Sequence, residues 1–173
     1  MNTKLGHLES ILNDLGSTLI AYSGGVDSTF LAFIAHKVLG KKAVAVTAIS
    51  PIHPEAETES ARAIAQEIGI RHILLETKEL GDPSFVTNDT SRCYYCKKGI
   101  FTELLRIASE EGLGWVIDGS NYDDTSDNRP GMIAAAELGV RSPLIEAGLG
   151  KKDIRSLSHE FGLPSWDKPS LSC

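Results

Sequence analysis

A short glycine-rich segment separates a predicted strand from a predicted helix near the start of the chain. Its sequence is Ser-Gly-Gly-Val-Asp-Ser at residues 23–28, with an apolar run over 17–22 before it and a helical pattern over 28–39 after it. Two adjacent glycines let the backbone curl so that successive N–H groups point into one concavity. The N-terminus of the following helix adds partial positive charge. The segment therefore predicts an anion-binding loop on an α/β scaffold.

The residue types in this loop suit phosphate and Mg²⁺. The hydroxyls of Ser23 and Ser28 can donate hydrogen bonds to phosphate oxygens, and Gly24 and Gly25 offer backbone N–H groups. The carboxylate of Asp27 can hold a Mg²⁺ ion that binds phosphate. The loop lacks the lysine and the spacing of the Walker A motif. An ordinary glycine-rich turn with a helix cap is the simpler alternative.

The rest of the chain alternates short apolar strands with helical patterns. Strands are predicted at 17–22, 43–48, 71–76 and 115–117, and helices at 3–15, 28–39, 54–68, 94–111, 131–138 and 151–161. Such alternation predicts a mostly parallel sheet covered by helices on both faces, in a Rossmann-like three-layer α/β/α arrangement. Loops are predicted at 81–92 and 118–130. Pro169 excludes a helix through the tail, where Lys168 is either solvated or a cation near phosphate.

Ligands of parallel sheets bind beyond the carboxyl ends of the strands, and polar groups occur there in this sequence. The backbone near Thr47, at the end of the second strand, is a candidate to meet an adenine edge. Gly119, after the fourth strand, would let a nucleotide approach closely. Asp123 or Asp124 could assist a metal, although each acidic residue alone is better explained as a solvated loop carboxylate.

The composition excludes several classes of protein. With 173 residues, 42% hydrophobic and 23% charged, the chain fits one soluble globular domain. Its net charge of −6 disfavours a broad nucleic-acid surface. It has no apolar run long enough to span a membrane, and its N-terminus lacks the apolar core of a signal peptide. We therefore expect a cytoplasmic protein with no membrane or nucleic-acid partner.

The chain has three cysteines. Cys93 and Cys96 form a C-x-x-C pair, and Cys173 is the last residue. A disulfide framework is not expected in a reducing compartment. Residue chemistry leaves four explanations open: a redox pair, a zinc site completed by another ligand, an iron–sulfur cluster, or ordinary cysteines near a helix start. The flanking cations Arg92 and Lys97 would lower the thiol pKa and offset an anionic cluster.

Several motifs occur together in a fixed order from about residue 17 onward. They are AYSGGVDSTFL, RCYYCKK, DGSN-Y-DD, RPG, ELGVRSPL, a Lys-x-[DE]-Ile-Arg helix start and GLPSWDKPSLSC. Together they resemble the LarE-type ATP-dependent sulfur transferases, which make the nickel-pincer nucleotide cofactor of lactate racemase. The hexapeptide alone indicates only the wider pyrophosphate-loop ATP pyrophosphatase, or adenine nucleotide alpha hydrolase-like, superfamily. RCYYCK followed by W-x-K-P-x-x-x-C is more specific.

The resemblance implies ATP and Mg²⁺ as cofactors and a small-molecule pyridinium nucleotide as substrate. ATP would adenylate a carboxylate of pyridinium-3,5-biscarboxylate mononucleotide with release of pyrophosphate, and sulfur would then replace AMP to give a thiocarboxylate. Asp27 would bind Mg²⁺ and Cys173 would be catalytic. The ATP-binding residues would be Ser23, Gly24, Gly25, Asp27, Ser28, Thr47 and Gly119.

The sulfur source follows from the cysteines. Family members that carry the C-x-x-C pair use three cysteines to hold a [4Fe–4S] cluster whose free iron carries the transferred sulfide, and Cys93, Cys96 and Cys173 match that pattern. In the alternative, Cys173 gives up its own sulfur and becomes dehydroalanine. A tRNA-thiolating or amide-forming relative, and a non-catalytic nucleotide- or metal-binding fragment, are further alternatives.

The resemblance also gives an expectation for domain organisation. The family continues beyond the position of Cys173, so residues 1–173 are expected to form a single pyrophosphate-loop domain without the family's C-terminal segment. A homo-oligomer is compatible with the sequence.

Overall fold

The structure is a computed structural model that describes residues 2–50, 54–77, 92–126 and 130–169. Four strands form one parallel sheet in the order β3-β2-β1-β4. They are β1 Thr18–Ala21, β2 Ala43–Ile49, β3 Arg71–Glu76 and β4 Trp115–Ile117. The predicted parallel α/β sheet is confirmed, because all four apolar runs form strands within a residue or two of the predicted bounds.

Seven α-helices lie in the described part of the chain. They are α1 Asn2–Leu15, α2 Val26–Leu39, α3 Glu55–Ile68, α4 Arg92–Glu110, α5 Pro130–Glu137, α6 Pro143–Glu146 and α7 Lys151–Glu160. The six predicted helices are all present. The one-turn helix α6 and a 3₁₀ turn at Tyr122–Ser126 were not predicted. Both are too short for a hydrophobic period to be visible in the sequence.

Helices cover both faces of the sheet, and neighbouring residues of each strand point to opposite faces. Ile20 of β1 packs in a cluster with Leu8, Phe30 and Ile154, which come from α1, α2 and α7. Leu19, one residue earlier, packs in a second cluster with residues of β2, β4 and α4. The core is therefore divided by the sheet into two layers, as expected for a three-layer fold.

The order of the strands determines where a ligand can bind. The chain runs outward from β1 through β2 to β3 and then crosses back to place β4 on the other side of β1. The strand order reverses between β1 and β4, and ligands of such sheets bind in the crevice at the carboxyl ends of the strands there. The loop over residues 23–28 leaves β1 at that crevice. No helix in the described ranges is long and apolar enough to cross a lipid bilayer.

Candidate functional site

The segment after β1 forms a loop that is closed on itself. The backbone N–H of Ser23 donates to Ser28 Oγ at 3.0 Å, and the two serine hydroxyls lie 3.1 Å apart. The N–H of Gly25 donates to Ser23 Oγ at 3.3 Å. Helix α2 begins at Val26, so its first N–H groups, which have no partner within the helix, lie beside the two hydroxyls. The loop thus gathers hydroxyl and amide donors as an anion site requires.

Gly24 is required by both its conformation and its surroundings. Its φ is +83°, and a Cβ built on it would lie 2.8 Å from Ala61 Cβ on α3. Helix α3 is held at this distance by the hydroxyl of Tyr22, which donates to the Ala61 carbonyl at 2.7 Å. Burial raises the pKa of Tyr22 to about 12, so this donor keeps its proton at physiological pH. The loop is therefore supported from behind by α3.

We expect Gly24→Ala to destabilise the protein by about 2–5 kcal/mol. The left-handed φ costs a residue with a Cβ about 1–2 kcal/mol, and forcing a methyl against α3 adds about 1–3 kcal/mol. Gly112→Ala is a matched control because Gly112 also has a positive φ, +72°, but nothing lies within 4 Å of its Cβ position. Urea unfolding of both variants checks this, and equal losses at the two sites would contradict the packing argument.

Asp27 lies in the first turn of α2 with its two carboxylate oxygens in different environments. Oδ2 accepts hydrogen bonds from Lys151 Nζ at 2.7 Å and from Asn121 Nδ2 at 3.1 Å. Oδ1 is buried and has no hydrogen-bond partner among the described residues. A buried carboxylate oxygen without a partner is costly unless something binds it. A hard cation such as Mg²⁺ fits this position, because it prefers carboxylate oxygens.

The loop after β4 packs directly on the first turn of α2. A Cβ at Gly119 would lie 3.0 Å from both the Cα and the backbone N of Ser28. Gly119 thus permits close contact between two protein segments, and a contact with nucleotide stays a prediction. Asn121 follows two residues later, and its side-chain Oδ1 accepts the N–H of Asp123 at 2.8 Å. These contacts orient the amide that reaches Asp27.

Asp123 and Asp124 both bind backbone N–H groups. Asp123 Oδ2 accepts the N–H of Lys151 at 2.8 Å, which places this carboxylate at the N-terminus of α7. Asp124 Oδ2 accepts the N–H of Asn121 at 2.9 Å. A carboxylate at a helix N-terminus is favoured by the helix dipole. The arrangement explains these two residues as supports of the loop and of Lys151.

Asp118 is the most deeply buried carboxyl group among the described residues. Its Oδ1 accepts a hydrogen bond from Ser142 Oγ at 2.7 Å, and its Oδ2 accepts one from Ser120 Oγ at 3.3 Å. Burial raises the pKa of Asp118, while these hydrogen bonds and the positive charge of Lys97 act in the opposite direction. The hydrogen bonds hold the carboxyl group in place, but its burial makes the ionised form less favourable than it is in water.

We expect Asp118→Asn to be more stable than the wild type at neutral pH. Since the folded pKa is raised, the wild type loses stability as pH rises from the unfolded pKa, about 3.9, through the folded one. The asparagine never ionises, so its advantage should be largest above the folded pKa and shrink as pH falls. Urea unfolding between about pH 4 and pH 8 measures this. If Asp118→Asn became less stable relative to the wild type as pH rises, this explanation would be contradicted.

Thr47 uses its side chain within the protein. Its hydroxyl lies 2.8 Å from the carbonyl oxygen of Tyr22 and 2.7 Å from His72 Nε2. The single hydroxyl proton goes to the carbonyl, which can only accept, so His72 Nε2–H donates to Thr47. Burial, and secondarily the charge of Arg62, lowers the pKa of His72. An adenine contact at Thr47 would have to come from its backbone, as the sequence prediction stated.

The structure describes the backbone of two of the three cysteines. Cys93 and Cys96 lie in the first turns of α4, but their side chains are outside the described set, and Cys173 is outside the described residues altogether. Helix α4 connects β3 to β4, so its N-terminus belongs to the carboxyl edge of the sheet. Within the described ranges no group of three or more His, Cys, Asp or Glu residues could hold a metal. The three-cysteine site stays a prediction.

Two lysines complete the site. Lys151 is the first residue of α7 and reaches Asp27 across 124 positions of sequence. Lys168, in the tail, donates from Nζ to the Gly24 carbonyl at 3.2 Å and to Ser60 Oγ at 2.9 Å. Sequence reasoning missed Lys151 and Asn121. Lys151 could have been proposed from its sequence position. It is the first residue of a helix, directly after Gly150, and a side chain at a helix start can point toward a neighbouring loop.

Residues 7–90 match the sequence model of the NAD synthase family. This match covers just under half of the chain. An uncharacterised protein of Synechocystis, slr1717, is 47% identical over 173 residues, covering 100% of this chain and 65% of its own length. The pyridinium-3,5-bisthiocarboxylic acid mononucleotide synthase of Lactiplantibacillus plantarum is 38% identical over 167 residues, covering 96% of this chain and 60% of its own length. The chain thus spans less than two thirds of the length of each of these relatives.

Two solved structures share the fold of this chain. The NMN synthetase of Francisella tularensis superimposes with a TM-score of 0.77 at 18% identity, covering 98% of this chain and 74% of that one. The U34-tRNA thiolase NcsA of Methanococcus maripaludis, solved with its [4Fe-4S] cluster, gives a TM-score of 0.69 at 18% identity, covering 99% and 67%. At this identity the likeness establishes the fold alone, and it confirms the predicted α/β fold with a parallel sheet.

Proposed function

We propose that this chain is the nucleotide-using domain of an ATP-dependent sulfur transferase that acts on a carboxylate of pyridinium-3,5-biscarboxylate mononucleotide. The observation that carries the proposal is the pairing of Asp27, whose buried Oδ1 has no partner among the described residues, with the donor-rich loop beside it. The 38% identical relative has a name that describes a product of this kind. The ordered motifs around the cysteines support the same substrate class.

The loop suits the first half of such a reaction. A substrate carboxylate oxygen would attack the α-phosphorus of ATP, the bond to the bridging oxygen would break, and pyrophosphate would leave. The hydroxyls of Ser23 and Ser28 and the N–H of Gly25 would bind the leaving pyrophosphate. Mg²⁺ bound at Asp27 would offset phosphate charge. Lys151, freed from Asp27 by the metal, would remain close enough to add a second positive charge.

The second half requires a sulfur nucleophile. It would attack the carbonyl carbon of the acyl-adenylate and break the bond to the AMP oxygen, so that AMP leaves and a thiocarboxylate forms. Cys93, Cys96 and Cys173 would hold the [4Fe–4S] cluster, whose open iron would present sulfide. Pro169 lines a cavity of about 260 Å³ together with Ser23 and Gly24. Cys173 follows four residues later in the sequence, which limits its distance from Pro169 to about 14 Å.

An amide-forming function is the second candidate, because the NAD synthase family model matches residues 7–90. Pyrophosphate release separates the sulfur-transfer proposal from a non-catalytic module, and the substrates that support release separate it from amide formation. We expect release only when ATP, Mg²⁺ and the biscarboxylate mononucleotide are all present. Nucleotide binding without release would favour the non-catalytic module. Release with other carboxylates and ammonia, but not with the mononucleotide, would favour amide formation.

A further inference from the structure

The contacts of Lys168 are unusual for a partly buried lysine. Among the described residues its ammonium group bonds only neutral oxygens, the Gly24 carbonyl and the Ser60 hydroxyl, and none of their carboxylates lies at ion-pair distance. A lysine that merely anchors a tail would be better compensated by a carboxylate. The charge lies at the carbonyl of the peptide between the two glycines of the loop. This position indicates that Lys168 acts on the conformation of the loop.

The backbone leading to Lys168 is fixed. The N–H of Lys168 donates to the Ser165 carbonyl at 3.1 Å, and Ser165 is fully buried. Two residues before Lys168, the carbonyl of Trp166 accepts a hydrogen bond at 2.8 Å from Nη1 of Arg155, a residue of α7. The ammonium group is therefore presented to the loop from a rigid support, as a positioning group must be.

The geometry of one peptide unit connects this contact to anion binding. In a trans peptide the C=O and the N–H point in opposite directions. Because the Gly24 carbonyl points to Lys168 Nζ, the N–H of Gly25 points the other way, toward Ser23 Oγ at 3.3 Å. Ser23 Oγ is itself 3.1 Å from Ser28 Oγ, so this N–H faces the donor-rich concavity.

Glycines on both sides leave this peptide free to rotate. Rotation of this peptide changes ψ of Gly24 and φ of Gly25, which is −76°, and glycine adopts either sign of φ at little cost. A rotated peptide would turn a carbonyl oxygen into the concavity, where it would repel phosphate. Something outside the two glycines has to select the orientation.

We propose that Lys168 is a positioning residue that holds the Gly24–Gly25 peptide with its N–H, and not its carbonyl, facing the anion site. The effect of this orientation on nucleotide use rests on the proposed function. Lys168→Met removes the bond to the carbonyl, Lys168→Arg keeps a charged donor, and Ser60→Ala removes the other acceptor while leaving the carbonyl contact. Lys42→Met, at an exposed residue on the opposite edge of the sheet, is the general control.

Two measurements on the full chain test the proposal. The first is the affinity for inorganic pyrophosphate with Mg²⁺ by calorimetry. Lys168→Met should bind about 10- to 100-fold more weakly, as loss of a charged hydrogen bond predicts, and the other three variants within about 3-fold of wild type. The second is the amide resonance and hydrogen exchange of Gly25 in the ligand-free protein. Both should change in Lys168→Met and stay close to wild type in Lys168→Arg and Ser60→Ala.

The two readouts separate orientation from simple attraction of charge. Weaker binding by Lys168→Met with an unchanged Gly25 amide would overturn the proposal, because the charge alone would then explain the loss. An unchanged affinity would overturn it as well. If the wild type binds no pyrophosphate, the proposed function fails, and the orientation claim is then decided by the Gly25 amide alone.

Discussion

Asp27→Asn is expected to lower Mg²⁺-dependent pyrophosphate release by at least about 100-fold. The asparagine has the shape of the aspartate but lacks the negative charge that would hold the metal. It also leaves Lys151 without its carboxylate partner. Since both side chains of that ion pair are partly exposed, the fold should lose no more than about 1 kcal/mol. Steady-state release of pyrophosphate at saturating substrate measures the loss, and thermal unfolding confirms that the variant is folded.

Asp14→Asn provides the matched control for this experiment. Asp14 is exposed on α1, so the same chemical change removes the same charge away from the crevice. This variant should release pyrophosphate at the wild-type rate. If Asp27→Asn has lost affinity for the metal, raising the Mg²⁺ concentration should partly restore its rate of pyrophosphate release. Unchanged release by Asp27→Asn would remove Asp27 from the metal site.

Cys93→Ser is expected to abolish iron binding. A [4Fe–4S] cluster held by three thiolates loses one of its three protein ligands in this variant, and a hydroxyl is a poor replacement for a thiolate. After anaerobic reconstitution with iron and sulfide, the wild type should carry about four irons with matching sulfide. The variant should carry less than about one. Iron, sulfide and zinc analysis per chain measures both, and Cys96→Ser and Cys173→Ser should behave in the same way.

Tyr94→Phe is the control for local disturbance, because it changes a residue between the two cysteines and keeps all three thiols. It should retain the wild-type iron content. Full iron retention by Cys93→Ser would count against the three-thiolate site. A wild type that takes up zinc but no iron would favour a structural metal site. If it takes up neither, the sacrificial route remains, and mass spectrometry would then find dehydroalanine at Cys173 after turnover.

The fold was predictable because its signals are local. Each strand is a short apolar run, and each of the longer helices shows apolar residues at helical spacing, as for Leu8 and Leu12 on α1. Gly40 and Gly69 are the C-cap residues of α2 and α3, and glycine is the residue that most commonly ends a helix. The elements that were missed, α6 and the turn at Tyr122–Ser126, are held by contacts with other segments. An example is the N–H of Tyr122, which donates to the Leu149 carbonyl.

The anion loop was predictable for the same reason, since its six residues are consecutive. What surrounds it was not. Lys151 and Asn121 reach Asp27 across 124 and 94 positions of sequence, and no local pattern encodes such a contact. The role of Gly119 as a packing contact against Ser28 also depends on the strand order. Sequence reasoning can find a loop, but the charges that face it depend on topology.

The most direct test of the account is the product of a single turnover. The reconstituted protein is mixed anaerobically with ATP, Mg²⁺ and pyridinium-3,5-biscarboxylate mononucleotide, with sulfide and ammonia both available. AMP, pyrophosphate and the modified mononucleotide are then quantified by mass spectrometry. We expect equal amounts of AMP, pyrophosphate and a product in which sulfur replaces one carboxylate oxygen. An amide product, or bound ATP that is never cleaved, would contradict it.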